Sequence, residues 1–379
     1  MKKKFYISVI LLQLILLLVG CKKPYEPPVI KTELNFLVVD GLISCGNDAV
    51  STITISRTKR LSDSIQFTPE LNAVIYIEQE QGNIFNVNEQ ARGIYITQPL
   101  NLDPNKKYRL KIRTADNREY LSIYTQGKIS PAIDSLTWRQ NEDVSVSVNT
   151  HDPLNNTRYY RWDYIETWNY ESIYSTSYGL NNGLIYVKDS ANQTDSCWRS
   201  SRSTNIILSS SVALSEDVIS EFPVAIVPQH SEKISLSYSI LVKQYALTED
   251  AFRYFQLIQK NTQLSGSFFD AQPSQLKGNI QSVDRPDEPV IGYITASTIT
   301  EKRLFIRKRQ VVNWNFGPSV EYCGIILTIP QNPVNYLIFD YPDPSFGPYY
   351  FVTGGLVITK KACLECTEQG GTNIKPSFW

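Results

Sequence analysis

The sequence predicts a mainly β protein: an N-terminal immunoglobulin- or transthyretin-like sandwich followed by a larger β-rich domain that carries one prominent α-helix. Three observations predict it. Segments with period-two apolar alternation recur from about residue 35 onward. Gly-, Asn- and Asp-bearing turns separate them at short intervals. Tyrosine, which favours half-buried pleated surfaces, occurs 23 times in 379 residues.

In the first region the candidate strands are Leu37 to Leu42, Val50 to Ser56, Ala73 to Glu78, Gly93 to Thr97, Lys107 to Arg113 and Tyr120 to Tyr124. The fifth is the clearest: Tyr108, Leu110 and Ile112 point to one face while Lys107, Arg109, Lys111 and Arg113 point to the other. About seven short strands over residues 31–128 match the strand count of a small sandwich.

The second domain is expected over 129–379. Val144, Val146 and Val148 alternate with serines, a turn follows at 151–156, and Arg158 to Ile165 returns as a strand. Ile234 to Ile240 repeats the alternation. Residues 179–205, rich in Asn, Ser and Gly, are expected to form a long excursion loop. Leu247, Ala251, Phe255 and Ile258 make an apolar stripe opposite Glu249, Arg253, Gln256 and Lys260, so the spacing predicts a helix over 248–263 with Thr248 as its N-cap. Strands resume at Val290 to Ala296, Arg303 to Arg307 and Leu356 to Thr359.

The first residues read as a targeting segment. Lys2 to Lys4 form a positive start, Phe5 to Val19 an apolar run too short for the about 20 residues of a spanning helix, and Leu18-Val19-Gly20-Cys21 fits a lipobox. The expectation is a lipoprotein signal peptide over 1–21 with acyl chains on Cys21, which would anchor the chain to membrane lipid without crossing the bilayer. A Pro-rich tether over 22–30 follows. Lys23 stands where many inner-membrane lipoproteins carry Asp, which favours the outer membrane. With 37 basic and 37 acidic residues the chain has no cationic excess to draw nucleic acid.

Several strings, read together, resemble a family of Bacteroidota lipoproteins known as a domain of unknown function, DUF4249. They are Cys21 to Pro28, Leu37-Val38-Val39-Asp40-Gly41, Ile133 to Leu136, Tyr160 to Trp168, Gly266 to Asp270 with Pro273 and Gly278-Asn279-Ile280, and Gly370 to Trp379. The resemblance implies location and company: an envelope protein beside a TonB-dependent outer-membrane barrel, acting in uptake of an unidentified glycan or peptide. It carries over no catalytic residue.

The residues themselves offer few reactive constellations. Neither His151 nor His230 lies in a catalytic frame, no phosphate-binding glycine loop is present, and no cofactor or metal is assigned. Asp163 and Glu166, three apart on a strand, would face opposite ways and are expected to pair with Arg158 or Arg161. The chain is therefore expected to be a binding or accessory protein and not an enzyme, with a surface hydrolase acting on glycans or peptides, or an adhesin or matrix protein, as alternatives. Among the aromatics of 159–178, the strand members Tyr160, Trp162 and Tyr164 are expected in the core. Trp168 and the loop-borne Tyr170, Tyr174 and Tyr178 are the expected ligand contacts. Cys197, Cys323, Cys363 and Cys366 are expected in disulfides of unspecified pairing, with a four-thiolate zinc site as the alternative and Cys45 as the odd thiol. Phe378 and Trp379 are expected to dock as a terminal clasp.

Overall fold

A computed structural model of the chain describes residues 35–59, 68–189, 193–263, 277–314, 323–332 and 334–379. The expected signal with Cys21, the tether 22–30 and the 266–273 part of the resemblance lie outside the described residues. Among the described residues strands make up 52% and helices 9%, with one helix of seven or more residues.

In the first module, alternation turns Leu37, Val39, Ile53, Ile55, Ile75 and Ile77 inward onto Tyr95, Tyr108, Leu110 and Ile112. Leu37–Ser44 pairs antiparallel with Thr52–Arg57, and that strand pairs with Ile94–Ile96. Val74–Gln79 pairs with Lys107–Arg113, and Lys107–Arg113 with Glu119–Ser122. The strand Ile84–Ala91 joins the two sets, meeting Val74–Gln79 through residues 84–87 and Ile94–Ile96 through 88–91, with a register shift at Glu89. A bulge of this kind bends the strand and increases its local twist.

This module does not close at residue 128. Ile280–Ser282 adds antiparallel to Glu119–Ser122, while Ile291–Gly292 and Thr295–Ser297 add in parallel to Leu37–Ser44. Ile280, Val290, Ile294 and Ala296 enter the same core. The expected boundary is corrected accordingly: both outer strands of 31–128 leave an open edge, and only chain from beyond residue 277 supplies the missing hydrogen bonds. The two crossings between modules run side by side, Lys128 N–H donating to Ala296 O at 3.0 Å and Thr298 N–H to Lys128 O at 2.9 Å.

The second module stacks two sheets. One orders Ile133–Gln140, Val144–Asp152 and Asp217–Val227. The other orders Ser196–Arg202, Tyr159–Glu171, Ser237–Ala246 and Ile299–Arg307, with Ile207–Ser210 pairing to the start of the Tyr159 strand. Val144, Val146 and Val148 meet Tyr160, Trp162, Ile240 and Val242 between them. The strand expected from Ile234 begins at Ser237, because Glu232–Ile234 forms a 3₁₀ turn capped by Ser231.

The expected loop 179–205 is also corrected. Tyr178–Asn181 and Leu184–Val187 form a hairpin, and Ser196–Arg202 is a full strand of the five-stranded sheet. Its serines mask the alternation, since Ser200 bonds to Thr167 and Ser201 to Glu166 on opposite faces. The hairpin packs on a C-terminal sheet of Ile326–Pro330, Gly355–Lys360 and Phe346–Val352 around Ile185, Phe346, Leu356 and Ile358. Disulfides Cys197–Cys366 and Cys323–Cys363 tie this part together, and Cys45 is free and buried.

The helix Glu249–Gln263 buries Ala251, Tyr254 and Phe255 against Tyr293 of the first module, and its Phe252 lies 5.0 Å from Tyr159 of the second. The Thr248 hydroxyl accepts from Ala251 N–H at 3.3 Å.

Candidate functional site: the cleft between the modules

The outward face of the five-stranded sheet meets the edge of the first module across a cavity of about 350 Å³. Parity places the side chains. Along Tyr159–Glu171 the even positions Tyr160, Trp162, Glu166, Trp168 and Tyr170 are buried, so Arg161, Asp163 and Ile165 face out. Lys243 and Tyr245 face them from the neighbouring strand, and Arg202 from the other side. The opposite wall comes from Asp40, Gly41 and Ser44 of Leu37–Ser44 with Thr52 and Thr54 beside them. Gly41 is required by close approach: a Cβ there would stand 2.6 Å from Thr52 O and 2.7 Å from Ile53 Cδ1.

Most of the charge is internally balanced. Arg161 Nη2 donates to Asp163 Oδ1 at 3.3 Å, and Lys243 lies 2.6 Å from Glu301. The Arg161 guanidinium sits 4.6 Å from the Phe255 ring centroid and 5.9 Å from that of Tyr245, and its buried Nε has no hydrogen-bond partner among the described residues. Burial pushes the Tyr245 hydroxyl up, and neighbouring Asp163 adds to the shift. Arg202 and Asp40 are exposed at the cleft and have no ion-pair partner among the described residues. The arrangement offers a hydroxyl-lined cleft with one unneutralised guanidinium and one unneutralised carboxylate.

For two of the aromatics expected to touch ligand, Trp168 and Tyr170, the expectation is corrected. The Tyr159 strand runs to Glu171, so alternation carries Trp168 and Tyr170 into the core, 5% and 2% exposed. Trp168 Nε1 donates to Glu232 at 3.1 Å, and the Tyr170 hydroxyl to Cys366 O at 2.8 Å. Tyr174 and Tyr178 are half-buried: Tyr174 donates to Cys323 O at 2.9 Å and stacks 5.2 Å from Tyr349, while Tyr178 meets Phe351 edge-on at 5.1 Å. Tyr170, Tyr174 and Tyr178 thus contact the disulfide-linked C-terminal part, while Trp168 is held within the second module by Glu232 and Lys233.

Asp163 and Glu166 face opposite ways. Glu166 is 4% exposed and binds Lys233 at 2.5 Å, the Tyr238 hydroxyl at 2.8 Å and Ser201 at 3.1 Å. The Lys233 partnership replaces the arginine expected for Glu166; Arg158 instead donates to carbonyls of Ser211, Leu214 and Ser215. His151 is exposed in a strand, 2.8 Å from Asp134. Among the described residues no three His, Cys, Asp or Glu side chains gather to hold a metal, and no helix is long and apolar enough to cross a membrane.

Sequence reasoning did not single out Asp40, Arg202, Lys243 or Tyr245 for the cleft. A signal existed: two of the strings that carry the resemblance, 37–41 and 160–168, face each other there.

The model of a family described as "Domain of unknown function (DUF4249)" matches residues 22–303. That span takes in the first module and the second as far as the middle of Ile299–Arg307, and stops short of Gly370 to Trp379. No curated protein matches the chain. Among solved structures, chitinase ChiA74 from Bacillus thuringiensis is similar at 12% identity over 48% of this chain and 30% of that chain, with a TM-score of 0.15. A likeness that low carries no argument about activity.

Proposed function

Because the chain belongs to the DUF4249 family, matched over residues 22–303, we propose that it is a lipid-anchored outer-membrane binding protein that holds ligand in the inter-module cleft beside a TonB-dependent barrel. The observation that carries the reading is the cleft itself, a cavity of about 350 Å³ where strings 37–41 and 160–168 converge on charged side chains. Location is supported by the lipobox at Cys21, by a family match that starts one residue after it, and by two disulfides, which persist in oxidising compartments. The anchor would leave the folded modules at a membrane surface, where a barrel partner is within reach. Affinity purification of the full-length protein from detergent-solubilised outer membranes tests this. Co-purification of one barrel protein is expected, and its loss in Cys21→Ala with the chain released to the soluble fraction. A Cys21→Ala chain that stays in the outer membrane, or a wild-type chain that brings down no barrel, overturns it.

One observation favours the hydrolase reading: Asp40 and Asp163 line the same cleft. Against it, Asp163 is engaged by Arg161. Release of reducing ends from a glycan by the wild-type protein, abolished in Asp40→Asn, would establish it over the binding reading.

A further inference from the structure

The outward face of the five-stranded sheet continues past the cleft. Residues paired across neighbouring strands point to the same side, so the registers Ile165 with Arg202, Ile165 with Leu241 and Leu241 with Arg303 set four side chains in one transverse row. On the helix side of this row stand Asp163, Lys243 and Glu301; on the far side stand Thr167, Ser200, Ser239 and Phe305. Rows two residues apart are separated by roughly 7 Å. The chain terminus lies across the far rows, with Trp379 edge-on to Phe305 at 5.5 Å and to Trp198 at 6.4 Å.

Two guanidiniums end the central row without a carboxylate in salt-bridge range among the described residues. Arg202 is exposed. Arg303 donates to the Ser239 hydroxyl at 2.8 Å and lies 3.6 Å from the Phe378 ring centroid. Burial lowers its pKa, and Glu301 offsets that only in part. Arg161 and Lys243 are already matched by Asp163 and Glu301, so the face holds a local cationic surplus on a chain of formal net charge zero. Beside the surplus lie flat rings, Phe305 and Phe378, 40% and 41% exposed, and Ser44, Thr52 and Thr54 bring hydroxyls into the adjoining cleft.

We infer that this face binds an acidic oligosaccharide, its carboxylate or sulfate groups received by Arg202 and Arg303 and its sugar-ring faces laid on Phe305 and Phe378. Guanidinium forks match planar and tetrahedral anions. The amphipathic faces of sugar rings suit exposed aromatics, while Asp40 and the hydroxyls accept and donate to sugar hydroxyls. The inference rests on the cleft being a ligand site and names the ligand class.

Isothermal titration of the full-length protein in detergent, with an oligogalacturonate, its uncharged methyl ester and a chondroitin sulfate oligosaccharide of similar length, tests it. At least one acidic chain binds, the methyl ester binds at least about tenfold more weakly, and Arg202→Gln and Arg303→Gln each weaken the acidic chain by about tenfold or more. Which acidic chain binds separates carboxylate from sulfate. The Arg202 side chain has no partner among the described residues, so Arg202→Gln keeps the wild-type melting temperature; Phe378→Ala weakens acidic and neutral chains alike. Equal binding of acid and methyl ester, or Arg202→Gln binding as wild type, overturns the inference and leaves the cleft a ligand site. Binding of neither acidic chain overturns it too, and co-purification with a barrel decides the broader reading independently.

Discussion

Gln244 is the most connected polar side chain of the second core. It is fully buried, accepts from Trp162 Nε1 at 2.9 Å, and donates to Pro131 O at 2.9 Å and to Thr150 Oγ1 at 3.1 Å. Replacement by Ala strands the Trp162 indole N–H in the interior, while Pro131 O keeps the Thr300 hydroxyl at 2.9 Å, so Gln244→Ala should lower unfolding free energy by about 1–3 kcal/mol, read by urea denaturation. Two groups at the 151–157 turn respond to pH with opposite sign. Asp134, by hydrogen bond and then by charge, raises His151 above the ordinary imidazole value. That contribution is complete below about pH 6.5 and fades as pH rises through the folded value. Burial alone would raise Asp152, but the amides of Leu154, Asn156 and Thr157, at 2.9–3.0 Å, outweigh it and hold the carboxyl low. Its contribution is present above about pH 4 and drains away as pH falls through the folded value. An NMR titration should find His151 titrating above its unfolded value in the wild type and close to it in Asp134→Asn. Asp152→Asn should lose stability at pH 7 and little at pH 2. At this scale the sequence was a poor guide to Trp168 and Tyr170: their fate depended on how far one strand runs, and no turn residue marks the true end at Glu171.

Elements with a strong period were legible. The Lys107–Arg113 strand has the expected bounds, and the Glu249–Gln263 helix buries its expected stripe under its expected cap. Serine-rich Ser196–Arg202 was not legible, because its fit to the sheet comes from cross-strand hydroxyls and from the Cys197–Cys366 bond, neither of which leaves an apolar period. The cleft was legible only as strings of resemblance, since it is made where two elements distant in sequence approach. Gly41 is an element-scale test of one wall of the cleft, the pairing of Leu37–Ser44 with Thr52–Arg57: Gly41→Ala forces Cβ into Thr52 O, and a loss of about 1–3 kcal/mol is expected in thermal or chemical unfolding. A variant as stable as wild type would mean that the two strands can move apart.

At the scale of the whole molecule, fold class was legible from composition and alternation, whereas the partition into modules was not. Period-two patterns say that a strand exists and are silent about its partner. The Cys197–Cys366 bond spans 169 residues, and Cys366→Ser should cost about 2–5 kcal/mol, measured as a lowered denaturation midpoint. A fragment ending at residue 128 lacks Ile280, Val290, Ile294 and Ala296 along with both edge partners. It should show no cooperative melt, and adding residues 277–297 through a linker should restore one. The same topology orders events in time. As the chain emerges amino end first, the borders of its opening sheet stay exposed until residue 297 arrives, and the whole second sandwich up to Ala246 must be made in the meantime. Maturation of the first module is thus deferred to the later part of synthesis, and a truncated nascent chain leaves it unfinished, with hydrogen-bonding strand borders open to other chains.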